Sequence, residues 1–549
     1  MADMKNKFFG LCLALLMALA ACDSAEPNPD AIPSNATVVN VVANTSLMQW
    51  LSDVALKFNA SKAKTADGKP TFVKINFVEA GEAVGAMTTP DDTAVWIPDN
   101  EVWADVLAAK GNTAFKGDCV SMAQSPLVIA MWRPLAESLG WPTRKLGWLD
   151  VSSLAADEAA WRYYSGGQYG KTLRLAHAHP GLSGSGASAL LAVMQAAKQS
   201  AAPLTEAEIK DPIVQASLAA FEGSVAVFGA SPDALGQTMR KRGVQYLGAA
   251  AMYESTVLQY GAGDPLIVPI YPFEGTIMAT HPACISNAAS AERQAAAKLF
   301  REFLLKEDAQ AAAVANGLRS VNANLTQKLS VNESVDIAQP KILYAAPSAQ
   351  TLLALQSSWQ MARKPLNLVM VLDTSGSMKG GKMESMKQAA RQFVQQLNDN
   401  DFLTLIAFNS LPTVMLEHEL VSNARETAIA NIEGLTAKGG TAMFDAIGDA
   451  ADVIALNNSP RQSNIMVVLS DGLDTNSVRY KFGEPLTTLA ASNNTSLYTI
   501  AYGGDADANV LGNLATQSNG NFYVGSEANI AGIYEEMSTA FGGNVGIGR

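Results

Sequence analysis

Two consecutive α/β domains are predicted, and three observations predict them. The chain has 549 residues, more than one compact domain commonly holds. From Thr37 onward, short apolar strands alternate with amphipathic helices, the pattern of sheets covered by helices. In the last third, motifs rich in carboxylates and hydroxyls directly follow apolar strands, where the loops of an open α/β sheet receive ligands. Composition agrees. Hydrophobic residues make up 48% and charged residues 16%, which suits large cores and excludes a disordered chain. With 39 basic against 51 acidic residues, the net charge of −12 argues against nucleic acid as a partner.

The first segment reads as an address. Lys5 and Lys7 precede an apolar run from Phe8 to Ala21 that ends Leu19-Ala20-Ala21-Cys22. The run has signal-peptide length and is too short to span a bilayer. It resembles the lipobox of bacterial lipoproteins. That resemblance implies removal of residues 1–21, lipidation of Cys22 and a protein anchored to a membrane on its periplasmic face; an ordinary secretory signal is the alternative. Asp23 resembles an inner-membrane retention signal. Residues 22–36 are polar and Pro-rich, and read as a tether. Four Cys occur, none in a CxxC pattern. With Cys12 removed and Cys22 lipidated, Cys119 and Cys284 remain as a possible disulfide in an oxidising compartment, or as two buried thiols.

The N-terminal domain is expected over 37–330. VVNVVA (38–43) reads as a buried strand, and Leu47, Leu51, Val54, Ala55 and Phe58 follow at helical spacing. Further strands are expected at 125–132, 172–178, 224–230 and 265–271, and one closing helix at 295–317. A connector over 331–364 carries Pro340, Pro347 and a helical stretch around Trp359. The C-terminal domain, 365–545, begins with the strand LNLVMVLD (366–373). Met383, Met386, Ala390, Phe393, Val394 and Leu397 then share one helix face. Strands at 402–408 and 413–420 follow, the second alternating as an edge strand does. A helix at 441–456, strands at 464–470 and 496–502 and a helix at 529–541 complete a doubly wound sheet.

The C-terminal motifs carry the most specific chemistry. Asp373-Thr374-Ser375-Gly376-Ser377 follows the first strand, Gly439-Gly440-Thr441 lies between two helices, and Asp471-Gly472 follows the central strand. Two carboxylates and three hydroxyls form an oxygen-only set, the donors a hard cation such as Mg²⁺ prefers. These residues resemble the von Willebrand factor type A (VWA) domain and its metal-ion-dependent adhesion site. The resemblance implies a Rossmann-like fold in which Asp373, Ser375, Ser377, Thr441 and Asp471 hold Mg²⁺ or another divalent cation. It also implies a protein partner that completes the metal shell with an Asp or Glu. Asp445, Asp449 and Asp474 read as solvated or capping residues.

In the N-terminal domain, Asn44-Thr45-Ser46 and Ser183-Gly184-Ser185-Gly186 each sit at a helix start, an arrangement that favours oxyanions. The runs VWIPDNEVW (95–103), SPLVIAMWRPLAESLGWP (125–142), HAHPGLSGSGASALLA (177–192), AMYESTVLQY (251–260), IYPFEGTIMATHP (270–282) and FREFLLKEDAQAAAVANGLRSVN (300–322) resemble bacterial extracellular solute-binding proteins of the molybdate/sulfate-type, two-lobed, periplasmic-binding-protein-like class. That implies a small-molecule ligand caught between lobes, with Ser46, Ser183, Ser185 and Tyr253 as candidate cleft residues. Glu254, if it lines the cleft, opposes an anion. His177 and His179 share one face of a strand but lack an obvious third metal ligand.

The sequence thus reads as a membrane-anchored lipoprotein that binds a solute through one domain and a protein through the other. The alternative is the binding component of an ABC importer with an accessory VWA domain. An enzyme is not expected: G-x-S-x-G, H-E-x-x-H and a dinucleotide fingerprint are all missing from the sequence.

Overall fold

The computed structural model describes residues 32–89, 92–331, 334–483 and 495–548. The lipobox, Cys22 and Asp23 lie outside these.

Twelve strands build the N-terminal domain among the described residues. They are β1 (Thr37–Ala43), β2 (Thr71–Phe77), β3 (Thr93–Ile97), β4 (Cys119–Ser121), β5 (Ala123–Trp132), β6 (Leu175–Ala178), β7 (Val225–Gly229), β8 (Ala249–Tyr253), β9 (Ile267–Ile270), β10 (Met278–Ala279), β11 (Pro282–Ile285) and β12 (Arg319–Ser320). One sheet has the order β2-β1-β3-β11-β4. The other runs β10-β5-β8-β6-β7, with β9 and β12 also pairing with β5. Each sheet is the centre of one lobe. The chain passes between the lobes where β4 gives way to β5 and where β10 gives way to β11. Cys119 and Cys284 face each other in the antiparallel β4–β11 register and are joined by a disulfide.

Burial explains the strands. In β1 every second residue, Thr37, Val39, Val41 and Ala43, is buried. Val39, Val41 and Ala43 meet Trp50, Leu51, Val54 and Phe58 of the helix Met48–Ala60 in one core. The expected helix at 295–317 is two helices, Ala291–Leu304 and Glu307–Ala315. The break comes where Leu305 is exposed and Lys306 turns extended, so the apolar face does not continue across the joint. The connector is also more than a linker. Its helix Ala349–Ala362 buries Leu352, Leu355 and Trp359 in the core of the second lobe.

The C-terminal domain contains β13 (Leu366–Asp373), β14 (Phe402–Phe408), β15 (Pro412–Leu420), β16 (Ser463–Ser470), β17 (Ser496–Tyr502) and β18 (Phe522–Gly525). They form a sheet of order β15-β14-β13-β16-β17-β18, in which β15 alone is antiparallel. Strand β13 is buried along its whole length, as a central parallel strand must be. Its side chains alternate between two cores. Leu368, Met370 and Leu372 pack with the helices Gly381–Gln396 and Ile530–Ala540; Val369 and Val371 pack with the helix Met443–Leu456. A doubly wound sheet results, with the loops at the carboxyl ends of its parallel strands free to build a site.

The two domains touch through hydrogen bonds to backbone carbonyls. His179 Nε2 lies 2.9 Å from the carbonyl of Gly543, Arg242 donates to the carbonyl of Gly520 at 2.7 Å, and the Gly548 amide donates to Gly81 at 3.2 Å. Arg363, at the end of the connector, is buried and paired with Asp401 of the C-terminal domain.

Candidate functional site

Asp373 closes β13 and Asp471 directly follows β16. These neighbouring parallel strands pair Leu372 with Leu469, so both carboxylates reach the same edge of the sheet. Both are fully buried. Asp373 Oδ1 accepts from the Ser375 amide at 2.8 Å, which fixes the turn, and Oδ2 accepts from Ser470 Oγ at 2.7 Å. Burial raises the Asp373 carboxyl above its ordinary range, against the opposing pull of Ser470 and Ser375. Ser377 Oγ donates to Asp471 Oδ1 at 2.6 Å, and Ser375 Oγ and Ser377 Oγ lie 3.0 Å apart.

Thr441 arrives from another part of the chain. Gly439, at φ +75°, accepts from the Gly376 amide at 3.0 Å and ties this loop to the Asp373 turn. A Cβ added at Gly472 would lie 3.9 Å from Thr441 Oγ1 and 4.0 Å from Ser377 Oγ, so both hydroxyls face the same point. The structure therefore brings together all five predicted oxygen donors. Among the described residues, no group of three or more His, Cys, Asp or Glu side chains is placed to hold a metal. A hard cation here must draw on the hydroxyls as well as the two carboxylates, and this donor set fits one that keeps part of its water shell.

Sequence reasoning missed Lys382. Its Nζ lies 2.8 Å from Asp471 Oδ2 and supplies the positive charge in this structure. The available signal was a cation five positions beyond Ser377, within the first turn of the following helix. The aspartates read as solvated or capping divide. Asp474 caps the helix Met443–Leu456 by accepting from the Phe444 amide at 3.0 Å. Asp445 is buried and accepts from the amides of Val478, Arg479 and Tyr480, so it anchors the loop beyond Asp471 and is not solvated. Asp449 is held by Arg479 at 2.6 Å.

The N-terminal cleft differs from its expected chemistry. Ser46 donates through both its amide and its hydroxyl to Asn44 Oδ1, at 2.9 and 2.5 Å. Ser183 Oγ accepts from the Ser185 amide at 3.3 Å and lies 3.0 Å from Ser185 Oγ. These donors are thus engaged within the protein. Tyr253 is buried and donates to Asp99 Oδ1 at 2.7 Å; burial, then the Asp99 charge, pushes its phenol well above the ordinary value. Glu254 does not stand free in the cleft: Arg319 grips both its oxygens at 2.8 and 2.7 Å, and Tyr271 donates to it. His177 and His179 do not share a metal. His177 Nε2 lies 2.8 Å from Glu222. His179 accepts from the Gly181 amide at Nδ1, so its Nε2 carries the proton toward Gly543.

Two acids unnoticed in the sequence stand at this cleft. Glu79 precedes the helix Ala80–Ala86 and accepts from Thr45 Oγ1. Asp99 follows β3 and accepts from Asn44 Nδ2 at 3.0 Å. For Asp99 the signal was an acid just beyond a buried strand, as for Asp373 and Asp471; β2 is only half buried and gave no such signal for Glu79.

A family profile for bacterial extracellular solute-binding proteins matches residues 39–319, just over half of the chain. The chain belongs to this family. A von Willebrand factor type A domain follows at 367–536. Sequence relatives include an uncharacterized protein of Synechocystis sp., 29% identical over 197 residues that make up 35% of this chain and 46% of that one. Human inter-alpha-trypsin inhibitor heavy chain H3 is 27% identical over 191 residues, 32% of this chain and 21% of the relative. The chain thus spans less than half the length of either relative. Among solved structures, the sulfate-binding protein SubI of Mycobacterium tuberculosis aligns over 58% of this chain and 96% of its own, at 15% identity and a TM-score of 0.40. A von Willebrand factor type A structure from Catenulispora acidiphila aligns over 32% of this chain and 42% of its own, at 22% identity and a TM-score of 0.29. Among the described residues of this solute-binding protein, no helix is long and apolar enough to cross a membrane.

Proposed function

We propose that this solute-binding protein is a non-catalytic receptor, tethered by lipid at Cys22 to the periplasmic face of a cell membrane. Its N-terminal lobes take a small solute, and its VWA domain grips a protein partner through a divalent cation, Mg²⁺ by preference. Asp23 favours the inner membrane. The observation that carries the adhesion reading is the convergence of Asp373, Ser375, Ser377, Thr441 and Asp471 at one sheet edge. Asp373 and Asp471 would supply the charge that holds the cation. Ser375, Ser377 and Thr441 would contribute neutral oxygens or orient waters. Two carboxylates balance a divalent ion without over-neutralising it, which leaves the cation able to attract an acidic side chain from the partner.

The test is capture of partners from a periplasmic extract on the immobilised full chain, in Mg²⁺ and in EDTA. Partners held only in Mg²⁺ and lost with Asp373→Ala are the expected result. Identical recovery in both conditions makes the domain a scaffold and removes the adhesion reading. Lipid anchoring is tested separately: Cys22→Ser should abolish labelling by a palmitate analogue and release the protein from membranes.

A further inference from the structure

Among the described residues, most buried acids meet a cation or several donors, Asp373 and Asp445 through amides and hydroxyls. Glu254 is paired with Arg319, Asp401 with Arg363, Asp471 with Lys382, and Glu222 with His177 and the indole of Trp359. Glu79, Asp99 and Asp233 have no such cation; the charged groups acting on Glu79 are the other two acids themselves. Each of the three also keeps one buried oxygen without a hydrogen-bond partner: Glu79 Oε2, Asp99 Oδ2 and Asp233 Oδ2. The buried Thr256 hydroxyl is likewise without one. Glu79 is 3% exposed, Asp99 0% and Thr256 1%. An unpaired buried carboxylate is costly and does not persist without a reason.

These groups come from both lobes. Glu79 and Asp99 follow strands β2 and β3 of the first sheet. Asp233 begins the helix Pro232–Arg242 and Thr256 lies in the helix Glu254–Tyr260, both on the second. Asp99 Oδ2 faces the second lobe at Gly184, where a Cβ would come within 1.9 Å of it. The lobes meet around them, with the amides of Gly81 and Glu82 donating to the Leu182 carbonyl at 2.8 and 3.2 Å. The donors that could serve an anion, on Ser46, Ser183 and Ser185, are engaged internally. The capacity left over is acceptor capacity.

We propose that the cleft between the lobes receives a small organic cation, a primary ammonium or guanidinium, whose N–H groups donate to Glu79, Asp99 and Asp233. This rests on the reading of the lobes as a solute trap. An ammonium brings three donors and no acceptor, and a guanidinium five, so either satisfies the unpartnered oxygens as an oxyanion does not. A bare divalent metal fits less well: no group of three His, Cys, Asp or Glu side chains among the described residues is placed to ligate one ion, whereas the N–H groups of a guanidinium or an extended diamine reach acceptors spread over several atoms. Without the cation, burial and mutual repulsion hold Glu79 up to about 8 and Asp99 up to about 6, so ligand binding at neutral pH should release protons.

Isothermal calorimetry on the full chain tests this with putrescine, agmatine, tetramethylammonium and sulfate, each in two buffers of different ionisation enthalpy. Putrescine or agmatine should bind with net proton release, while tetramethylammonium, which has no N–H, and sulfate should not. Glu79→Gln should weaken binding by about tenfold or more and abolish the proton release; Asp233→Asn, at a partly buried position, gives a second variant. Sulfate binding with proton uptake, and no amine binding, overturns the charge class while leaving the solute trap standing. Binding of none of the probes overturns the inference and the trap together.

Discussion

The VWA edge and the cleft between the lobes are built from the same atoms, carboxylates and hydroxyls, yet they leave those atoms in opposite states. At the VWA edge, Asp373 and Asp471 receive donors from Ser375, Ser470, Ser377 and Lys382. In the cleft, Ser46 and Ser185 bond within their own loops, Ser183 serves both Ser185 and Glu79, and three acids each keep a bare oxygen. The difference lies in where the donors originate. In the VWA domain the hydroxyls and acids project from loops of one sheet and are close enough to satisfy each other. In the cleft they belong to two lobes. Each lobe caps its own serines, and the acids then meet across a boundary that only closure creates. A site satisfied within one sheet is ready before its ligand arrives. A site split between two bodies leaves something for the ligand to satisfy.

The strongest way to break this comparison is Asp373→Ala. It should abolish both metal binding and metal-dependent partner capture and lower the thermal transition modestly, because the Ser375 amide and the Ser470 hydroxyl lose a buried acceptor. Retention of full metal affinity, measured by calorimetry, would place the cation elsewhere. Next in size, Glu79→Gln should stabilise the ligand-free protein at neutral pH by about 1–3 kcal/mol, because it keeps the shape and removes the proton uptake that burying this carboxyl requires on folding. The same kind of change at Asp471, whose charge Lys382 balances, should destabilise. If both changes act in the same direction on melting temperature, the two sites are not opposites.

The pH profile sharpens the contrast further. The Glu79 carboxyl is raised from 4.5 to about 8 in the folded protein. The folded state then holds a proton that the unfolded chain has lost, so this contribution is complete below about pH 4.5 and disappears as pH rises toward 8. His179, at the contact between the domains, is lowered from 6.5 to about 4, chiefly by burial. Its contribution is present above pH 6.5 and is lost as pH falls toward 4, where a proton on Nδ1 would oppose the Gly181 amide. Melting curves across pH 4–9 should therefore show an alkaline decline that Glu79→Gln flattens and an acid decline that it leaves alone. The smallest effects belong to the VWA rim. Lys382→Met should raise metal affinity by about two- to tenfold by removing a competing cation from Asp471. Thr441→Ala should lower it mildly while still weakening partner capture.

Much of this was legible before the structure. Strand β13 reads as eight buried residues in a row because a central parallel strand is covered on both faces, and the Asp373 turn follows it by necessity. Asp373, Ser375 and Ser377 lie within one turn, so their spacing alone announces a common target. Glu79 and Asp99 carry no such spacing and lie 20 positions apart on different strands. The break at Lys306 was hidden because Ala-rich sequence keeps helical propensity on both sides of it.

The sequence by itself determined the two-domain α/β organisation, the edge position of β15 and the short motifs whose five side chains converge at the VWA edge. These depend on periodicity and on short local motifs, which are properties of neighbouring residues. Only the tertiary structure decided which polar groups stay unpaired. Glu254 looked free in sequence and is locked by Arg319, 65 residues away. Lys382 meets Asp471 across 89 residues. Serines that read as anion donors are engaged by residues two positions away, while the acids that surround them arrive from other strands and the other lobe. Whether a charge is satisfied depends on every element packed against it, and long-range packing sets that list of neighbours where local pattern does not.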